Sequence, residues 1–504
     1  MATSRSKPFQ KILVANRGEI AVRVMRTCRE LGIVPVAVFS DPDRHALHVR
    51  HADEAYALPG AAPRDTYLNQ EKILDAARKA GAEAIHPGYG FLSENASFSR
   101  ACRESGIVFI GPGPESIEMM GEKTRARETM SRAGVPIVPG TAPLANEEEA
   151  REAAARIGYP VLIKAVGGGG GKGMRKVENA ADLGGAFEAC RREALSAFGD
   201  GRVYIEKFLR EPHHIEFQVL ADGAGTTLHL FERECSVQRR HQKIIEETPS
   251  PLMTGELRET MGEAAVKAAR ACGYINAGTI EFMVDAERRY YFLEMNTRLQ
   301  VEHPITEMIT GVDLVAWQIH LAAGGSLRGF VPHSRGHAVE CRIYAEDPWN
   351  GFMPSPGLVR RLTVPGGPGI RDDSGVYAGY AIPMEYDPLI SKLVAWGENR
   401  DQALDRMRRA LEEYQIVGIR TNIPYLRRIL RHPEFAAGRY DTQFIDKLQN
   451  EFLREDGKGP DEAAWAAAAV LAWFADEQGP AISFTAQPPS SAWKLAGRPR
   501  DRER

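Results

Sequence analysis

The sequence predicts a multidomain protein, parallel α/β at its N-terminus and mixed α/β and α+β beyond it. Three observations carry this. The chain has 504 residues, 43% hydrophobic and 26% charged, an ordinary balance for a globular protein and enough for about two to four domains with large cores. Short apolar runs alternate with amphipathic helical stretches as far as Pro114, the pattern of a parallel sheet. Further on, β-branched and aromatic runs separated by turn residues indicate antiparallel strands.

The run Ile12-Leu13-Val14-Ala15 reads as a buried strand, and Asn16-Arg17-Gly18-Glu19 leads into an amphipathic helix carrying Ile20, Val24 and Leu31. Residues 34–39, 84–86 and 107–110 continue the strands. The first strand-to-helix turn holds only Gly18 and lacks GxGxxG, so a dinucleotide fingerprint is absent and a plain doubly wound scaffold is expected. A helix opens after Gly121-Glu122-Lys123, and Asn146 is placed to cap another over residues 147–156, closed by Gly158 and Pro160. The strand Val161-Leu162-Ile163-Lys164 then enters Gly167 to Gly171, Lys172 and Gly173.

Such a loop can fold over phosphates and offer backbone N–H groups; a flexible linker is the plainer alternative. It is not a P-loop, because Val166 and Gly173 stand where that motif needs glycine and a hydroxyl. Lys164 inside an apolar run needs an anionic partner, which favours a mobile nucleotide lid. Residues 203–209 and 213–220 read as antiparallel strands before a turn at 222–225. Residues 235–243, Cys-Ser-Val-Gln-Arg-Arg-His-Gln-Lys, are dense in donors and could hold an anion or form a solvated basic patch. A third block begins near Arg335 with a strand at 337–343, carries helices around 403–414 and 425–430, and ends near Leu448. Residues 461–474 are an alanine-rich helix candidate, and residues 487–504 are polar and expected to be poorly ordered.

Residues 294–302 are the most informative. In an extended strand Glu294, Asn296, Arg298, Gln300 and Glu302 share one face, while Met295, Leu299 and Val301 seat the other on a core. Residues 278–284 and 290–294 form a hairpin if the turn centres on Glu287 and Arg288, and Glu281 then lies opposite Glu294. Facing like charges destabilise a ladder. A divalent cation reverses that sign, so Glu281, Glu294 and Asn296 form a candidate hard-cation site for Mg²⁺ or Mn²⁺, completed by substrate phosphates. The plainer alternative is a solvated polar face.

A net charge of -3 gives no long-range pull toward nucleic acid or anionic membrane, and no basic-aromatic groove appears. No membrane partner is expected, since no apolar window approaches a spanning length and the first residues lack an apolar signal region. Six cysteines without a CxxC pair fit a reducing, cytoplasmic compartment. Cys235 alone lies close to charged motif residues.

Residues 12–20 (ILVANRGEI), 86–95 (HPGYGFLSEN), 163–174 (IKAVGGGGGKGM), 206–209, 239–243 (RRHQK) and 294–304 (EMNTRLQVEHP) together resemble the biotin carboxylases of the ATP-grasp superfamily, from Lys11 to about Leu448. The resemblance implies an N-terminal biotin carboxylase domain at 1–120, an ATP-grasp domain at 121–330 with its lid at 140–210, a C-terminal mixed α+β biotin carboxylase domain at 331–450, and a tail at 451–504. The implied reaction is phosphorylation of bicarbonate by ATP to carboxyphosphate, followed by carboxylation of biotin at N1'.

Carried over residue by residue, the resemblance assigns ATP to Lys123, Lys164, Gly170, Gly171, Glu206, Lys207, Phe208, Leu209, His214, Gln238, His241, Glu281 and Glu294. It assigns metal, Mg²⁺ or Mn²⁺ at two ions per site, to Glu281, Glu294 and Asn296. Bicarbonate falls to Lys243, Arg298, Gln300, Val301 and Glu302, and biotin to Arg342 and Tyr89. Arg298, Glu302, Arg342 and Lys243 are the expected catalytic set. Glu302 serves as general base, Arg298 as an arginine fork for planar oxygens, and Arg342 as stabiliser of the biotin enolate.

Lys172 stands where an arginine is also common in the family. No biotin-acceptor lysine in an Ala-Met-Lys-Met setting occurs, so the expected partners are a separate biotin carboxyl carrier protein and a carboxyltransferase subunit, with the chain as a homodimer. Acetyl-CoA is the expected final acceptor, with propionyl-CoA, another acyl-CoA or pyruvate as alternatives, a choice that belongs to the carboxyltransferase. Another ATP-grasp ligase would keep the nucleotide and metal residues without needing Arg298, Glu302 and Arg342. A noncatalytic scaffold would be expected to have lost some of them.

Overall fold

A computed structural model describes residues 8–166, 174–454 and 470–471. Gly170 and Gly171, with the rest of the glycine loop, lie outside the described residues, as do the expected disordered end and nearly all of the candidate helix at 461–474. One compact unit ends at Phe452.

The N-terminal sheet is wholly parallel. Strands β1 (Lys11–Val14), β2 (Val34–Phe39), β3 (Glu54–Ala57), β4 (Ala84–His86) and β5 (Val108–Phe109) lie in the order β3-β2-β1-β4-β5. Strand β1 shows why it sits at the centre: Ile12 and Val14 enter one core, whereas Leu13 enters another on the opposite face. A strand covered on both faces reads as an unbroken apolar run. Edge strand β3, Glu-Ala-Tyr-Ala, is only partly covered and lacks that run, so the sequence did not announce it.

A three-stranded antiparallel sheet, β7-β6-β8, follows from β6 (Val161–Ala165), β7 (Met174–Val177) and β8 (Val203–Lys207). The largest sheet uses β9 (His213–Ala221), β10 (Thr227–Arg239), β11 (Gln242–Thr248), β12 (Asn276–Val284), β13 (Tyr290–Asn296) and β14 (His337–Tyr344). Its order is β13-β12-β9-β10-β11-β14, continued by the strands Leu389–Gly397 and Ile370–Ser374. The expected boundary near residue 331 therefore falls within one sheet, where Ile245 to Thr248 of β11 pair with Cys341 to Ala338 of β14.

Parity assigns the two faces. On β9, Ile215, Phe217 and Val219 pack with Ile280 and Phe282 of β12 and with Met261, Ala265 and Ala268 of the helix Gly255–Ala271. His214, Glu216 and Gln218 must then face the other way.

The expectation of an extended strand over residues 294–302 is corrected. Strand β13 ends at Asn296, and a bend and turn carry the chain to Glu302, the N-cap of helix His303–Thr310. The backbone there is bonded elsewhere: Thr297 N–H donates to Glu94 at 3.0 Å, and the Val301 carbonyl accepts from Lys392 Nζ at 2.8 Å. Pro304 in the first helical turn suits the helix start.

Candidate active site

Four strands place charged side chains in one register row. Arg233 of β10 faces Glu216 of β9, Glu216 faces Glu281 of β12, and Glu281 faces Glu294 of β13. The expected facing of Glu281 and Glu294 holds, and a bulge at the next position shifts Phe282 onto Phe292. The intervening turn is closed by Arg288 N–H to Asp285 O, with Arg288 itself at φ 62°.

Three carboxylates in one row need compensating cations. Arg233 is fully buried and answers first. Its guanidinium donates to Glu216 Oε1 at 2.6 Å, Gln218 Oε1 at 2.9 Å, Thr306 Oγ1 at 2.9 Å, Thr279 Oγ1 at 3.1 Å and Gln300 Oε1 at 2.6 Å. Lys243 answers second, with Nζ 2.6 Å from Glu216, 3.0 Å from Glu281 and 2.7 Å from Glu302. Burial opposes the Lys243 charge, but these three carboxylates raise its pKa well above the ordinary lysine value. It stays an ammonium.

Glu281 is the most heavily bonded member. Its Oε1 accepts from Lys243, Asn296 Nδ2 at 2.8 Å and Gln300 Nε2 at 2.7 Å, and its Oε2 meets His214 Nε2 at 2.7 Å. Gln238 Nε2 lies 2.9 Å from the other His214 nitrogen. Burial alone would raise Glu281, yet Lys243 and His214 outweigh it and hold its carboxyl well below the usual range.

Glu302 stands between two cations. One oxygen accepts from Lys243, and the other from Arg342 at 3.0 Å. Burial again acts upward, and Lys243, Arg342 and Arg233 together push its pKa far below the ordinary carboxylate value. Arg342 also donates through Nε to Glu246 at 2.6 Å. Cys235 Sγ lies 4.0 Å from Glu302, and burial beside Glu216 raises its thiol well above the ordinary value.

Arg298 is placed by a different part of the chain. Its Nε donates to Glu94 of the N-terminal block at 2.9 Å, and its terminal nitrogens donate to Asn296 Oδ1 at 2.8 Å and the Leu299 carbonyl at 3.2 Å. Lys392, fully buried, spans Val301, the Tyr89 ring at 5.7 Å and Glu19 at 3.2 Å. The biotin candidates Tyr89 and Arg342 thus flank the turn that carries Glu302.

Lys164 of β6 is half-buried rather than buried, and it still finds an anion: its Nζ donates to Glu206 of β8 at 2.6 Å, and Arg127 holds the other Glu206 oxygen at 2.8 Å. Lys207 turns its ammonium to the carbonyls of Gly158 and Tyr159. Phe208 instead stacks under Lys176 at 4.2 Å, with Leu209 at the strand's exit. Lys123 opens the exposed helix Lys123–Arg132, and its charge reaches Glu294. His241 is exposed at the β10–β11 turn, where Arg240 and His241 take φ 51° and 65°.

Glu216, Arg233, Glu246, Glu94 and Arg127 were not singled out from the sequence. The alternation His214, Glu216, Gln218 within an apolar strand was the available signal for Glu216. Glu94 lies inside the 86–95 motif, which was the available signal for it, but nothing in that motif pointed to Arg298 as its partner.

The residues present fit a hard divalent cation at the outer end of the row. Among the described residues the Glu294 side chain, exposed on the edge strand, has no hydrogen bond or ion pair, and partial desolvation together with the facing Glu281 charge raises its pKa. Two inner groups, His214-Glu216-Glu281 and Glu216-Cys235-Glu302, also bring ligand atoms within 4.8 Å of one another. In each, Lys243 bonds both carboxylates and Arg233 bonds Glu216, so two carboxylate charges already meet two cations.

Comparison with known proteins agrees along the chain. Residues 8–117 match the biotin carboxylase N-terminal domain, 122–330 the ATP binding domain of the carbamoyl-phosphate synthase L chain, and 340–447 the biotin carboxylase C-terminal domain. The chain is 56% identical over 445 residues to a pyruvate carboxylase subunit of Methanothermobacter thermautotrophicus, covering 88% of this chain and 90% of that protein. It is 51% identical to a biotin carboxylase of Halalkalibacterium halodurans, covering 90% and 100%. A crystal structure of the biotin carboxylase domain dimer of Hydrogenobacter thermophilus 2-oxoglutarate carboxylase, with MgADP, ADP and bicarbonate, superimposes with a TM-score of 0.80 at 52% identity, covering 88% of this chain and 98% of that one. Taken with the Lys243, Glu302 and Arg342 cluster, these matches establish that the chain belongs to the biotin carboxylase family and is a ligase with biotin carboxylase activity.

Proposed function

We propose that the protein carboxylates biotin on a separate carrier protein, using Mg²⁺-ATP and bicarbonate through carboxyphosphate. The observation that carries this is Glu302, a buried carboxylate bridged by Lys243 and Arg342 beside a row that ends in Glu294, whose side chain is unpaired among the described residues. In the first step the base takes the proton of bicarbonate, whose oxygen forms the bond to the γ-phosphorus as the bond to ADP breaks. Carboxyphosphate then yields CO2 and phosphate, the released phosphate takes the N1' proton of biotin, and N1' bonds to CO2.

The resting electrostatics explain how Glu302 becomes basic. While Lys243 and Arg342 both point at it, its carboxylate is too stabilised to take a proton. A bicarbonate anion engaging Lys243, and biotin engaging Arg342, each draw one cation away and raise Glu302 toward a useful pKa. Arg298, held by Glu94, orients the planar oxygens of bicarbonate with Gln300 and the Val301 backbone. Arg342 supports negative charge on the biotin ureido oxygen. Lys164 and Glu206, with Lys123, Lys207, Phe208, Leu209, His214, Gln238, His241, Gly170 and Gly171, make up the nucleotide set. Glu281, Glu294 and Asn296 would hold the metal, which supplies charge neutralisation for the ATP phosphates.

The domain limits proposed are 1–120, 121–330, 331–450 and a tail from 451, and the working form proposed is a cytoplasmic homodimer. No helix among the described residues is long and apolar enough to cross a membrane. For the second half-reaction we favour acetyl-CoA as acceptor, with pyruvate and 2-oxoglutarate as competitors suggested by the relatives' names. The deciding experiment measures ATP cleavage with and without bicarbonate and biotin. Cleavage that depends on both is expected, and equal consumption of ATP without either would overturn the assignment. Identifying the carboxyltransferase that co-purifies, and assaying each acceptor with it, decides the second step.

A further inference from the structure

Adjacent glutamates of β11 are separated by parity. Glu247 points away from the site, bonded to His337 at 2.6 Å and Arg400 at 2.7 Å. Glu246 lies opposite Glu340 of β14, and Arg342, two residues on, lies opposite Lys392. Glu246, Glu340, Arg342 and Lys392 therefore share one face of the sheet. Glu340 is fully buried, and among the described residues neither of its oxygens has a hydrogen-bond partner; Glu246 Oε2 has none either. The nearby cations are committed elsewhere: Arg342 to Glu246 Oε1 and Glu302, Lys392 to Val301 and Glu19, Lys243 to Glu216, Glu281 and Glu302. Two facing buried carboxyl groups with free oxygens satisfy each other when one carries a proton.

We propose that Glu340 is a positioning residue for the biotin step, a neutral carboxylic acid that donates its proton to the free oxygen of Glu246 and so fixes the carboxylate that aims Arg342. The inference rests on the proposed role of Arg342. Burial, with Glu246 and Glu302 adding repulsion against the partial relief of Lys392 and Arg342, raises Glu340 well above the ordinary value. Burial likewise brings Glu246 up to about 7, against the pull of Arg342. Arg342 bonds Glu246, whereas Glu340 bonds no cation among the described residues, so the geometry places the shared proton on Glu340 and leaves the charge on Glu246. Cys341, next in sequence, points to the opposite face beside Ile245 and is a buried thiol raised well above its ordinary value by burial.

The test compares Glu340→Gln and Glu340→Leu in the full chain, read by difference infrared spectroscopy and by the pH profile of kcat/KM for biotin. The wild type is expected to show a protonated-carboxyl C=O band that survives to about pH 8 and disappears in Glu340→Gln. The glutamine amide still donates, so its kcat/KM for biotin stays within about threefold of wild type. Leucine cannot donate, so Glu246 takes up a proton itself: kcat/KM falls about tenfold and the acid limb of the profile moves to higher pH. A band unchanged in Glu340→Gln, or Gln and Leu variants equally impaired with unshifted profiles, overturns the proposal. The infrared band is read without turnover, so a protein that failed to carboxylate biotin would count against the proposed function while the band still decided the carboxyl pair.

Discussion

Replacing Lys243 with methionine removes one ammonium from the centre of three buried carboxylates, at 2.6, 3.0 and 2.7 Å. Two unit charges about 4 Å apart interact by about 4 kcal/mol at an effective dielectric of about 20. Stripping one partner from a buried pair costs about 3–5 kcal/mol. Three lost contacts do not triple this, because the carboxyls can take up protons, each pKa unit being worth about 1.4 kcal/mol. The sign follows from the directions of the shifts. Lys243 is raised above its ordinary value, so its own contribution is complete at every pH below that value and constant through the working range. Glu281 and Glu302 are depressed, so theirs is present above about pH 4.5 and lost as pH falls through their folded values. Without Lys243 the same carboxyls move above the ordinary value and penalise the folded state at alkaline pH, a penalty that protonation relieves.

Thermal melts of wild type and Lys243→Met should accordingly differ most near about pH 8 and converge toward about pH 5. Bicarbonate-dependent ATP cleavage should be lost throughout. A melting difference that is constant with pH, or that widens on acidification, would refute the assignment of Lys243 as counterion to the row.

Glu302→Gln should lower bicarbonate-dependent ATP cleavage by about 10²–10⁴ with nucleotide binding retained in a fluorescence titration; activity within about threefold would place the base elsewhere. Glu94→Gln loosens Arg298 and should raise KM for bicarbonate about tenfold, whereas an unchanged KM would mean that Arg298 is aimed without it. Glu247 is brought down to about 2 by His337 and Arg400 despite burial. Its carboxylate therefore contributes about 3 kcal/mol at neutral pH, lost as pH falls from about 4.5 toward 2, and Glu247→Gln should lower the urea midpoint at pH 7 with a gap that narrows in acid. Chelation should abolish ATP cleavage and added Mg²⁺ restore it, with Glu294→Gln shifting the half-maximal Mg²⁺ concentration upward; an unshifted requirement would remove Glu294 from the metal set.

How far the sequence reached depended on how local each feature is. Strand β1 is legible because a sheet covered on both faces needs consecutive apolar residues, and Ile12, Leu13 and Val14 supply them to two cores. Edge strand β3 carries no such demand and was silent. The facing of Glu281 and Glu294 is set by a short turn a few residues away, so it could be deduced. The extended reading of residues 294–302 failed because Glu94 and Lys392, remote in the chain, take the backbone groups that a neighbouring strand would have used.

By itself, then, the sequence determined the layered α/β beginning, the hairpin that presents two carboxylates, the need of Lys164 for an anion, and the motif residues proposed for bicarbonate and biotin. Tertiary structure alone decided which of the 64 lysines and arginines neutralise the carboxylate row, and it chose Arg233 and Lys243. It also decided that Arg342 is shared between Glu302 and Glu246, and that Glu340 faces Glu246 with no hydrogen bond of its own among the described residues. The reason is physical: periodicity along the chain says which face a side chain takes, but the charge it meets depends on the register of strands brought together from distant parts of the chain, and in a buried site that meeting sets every protonation state.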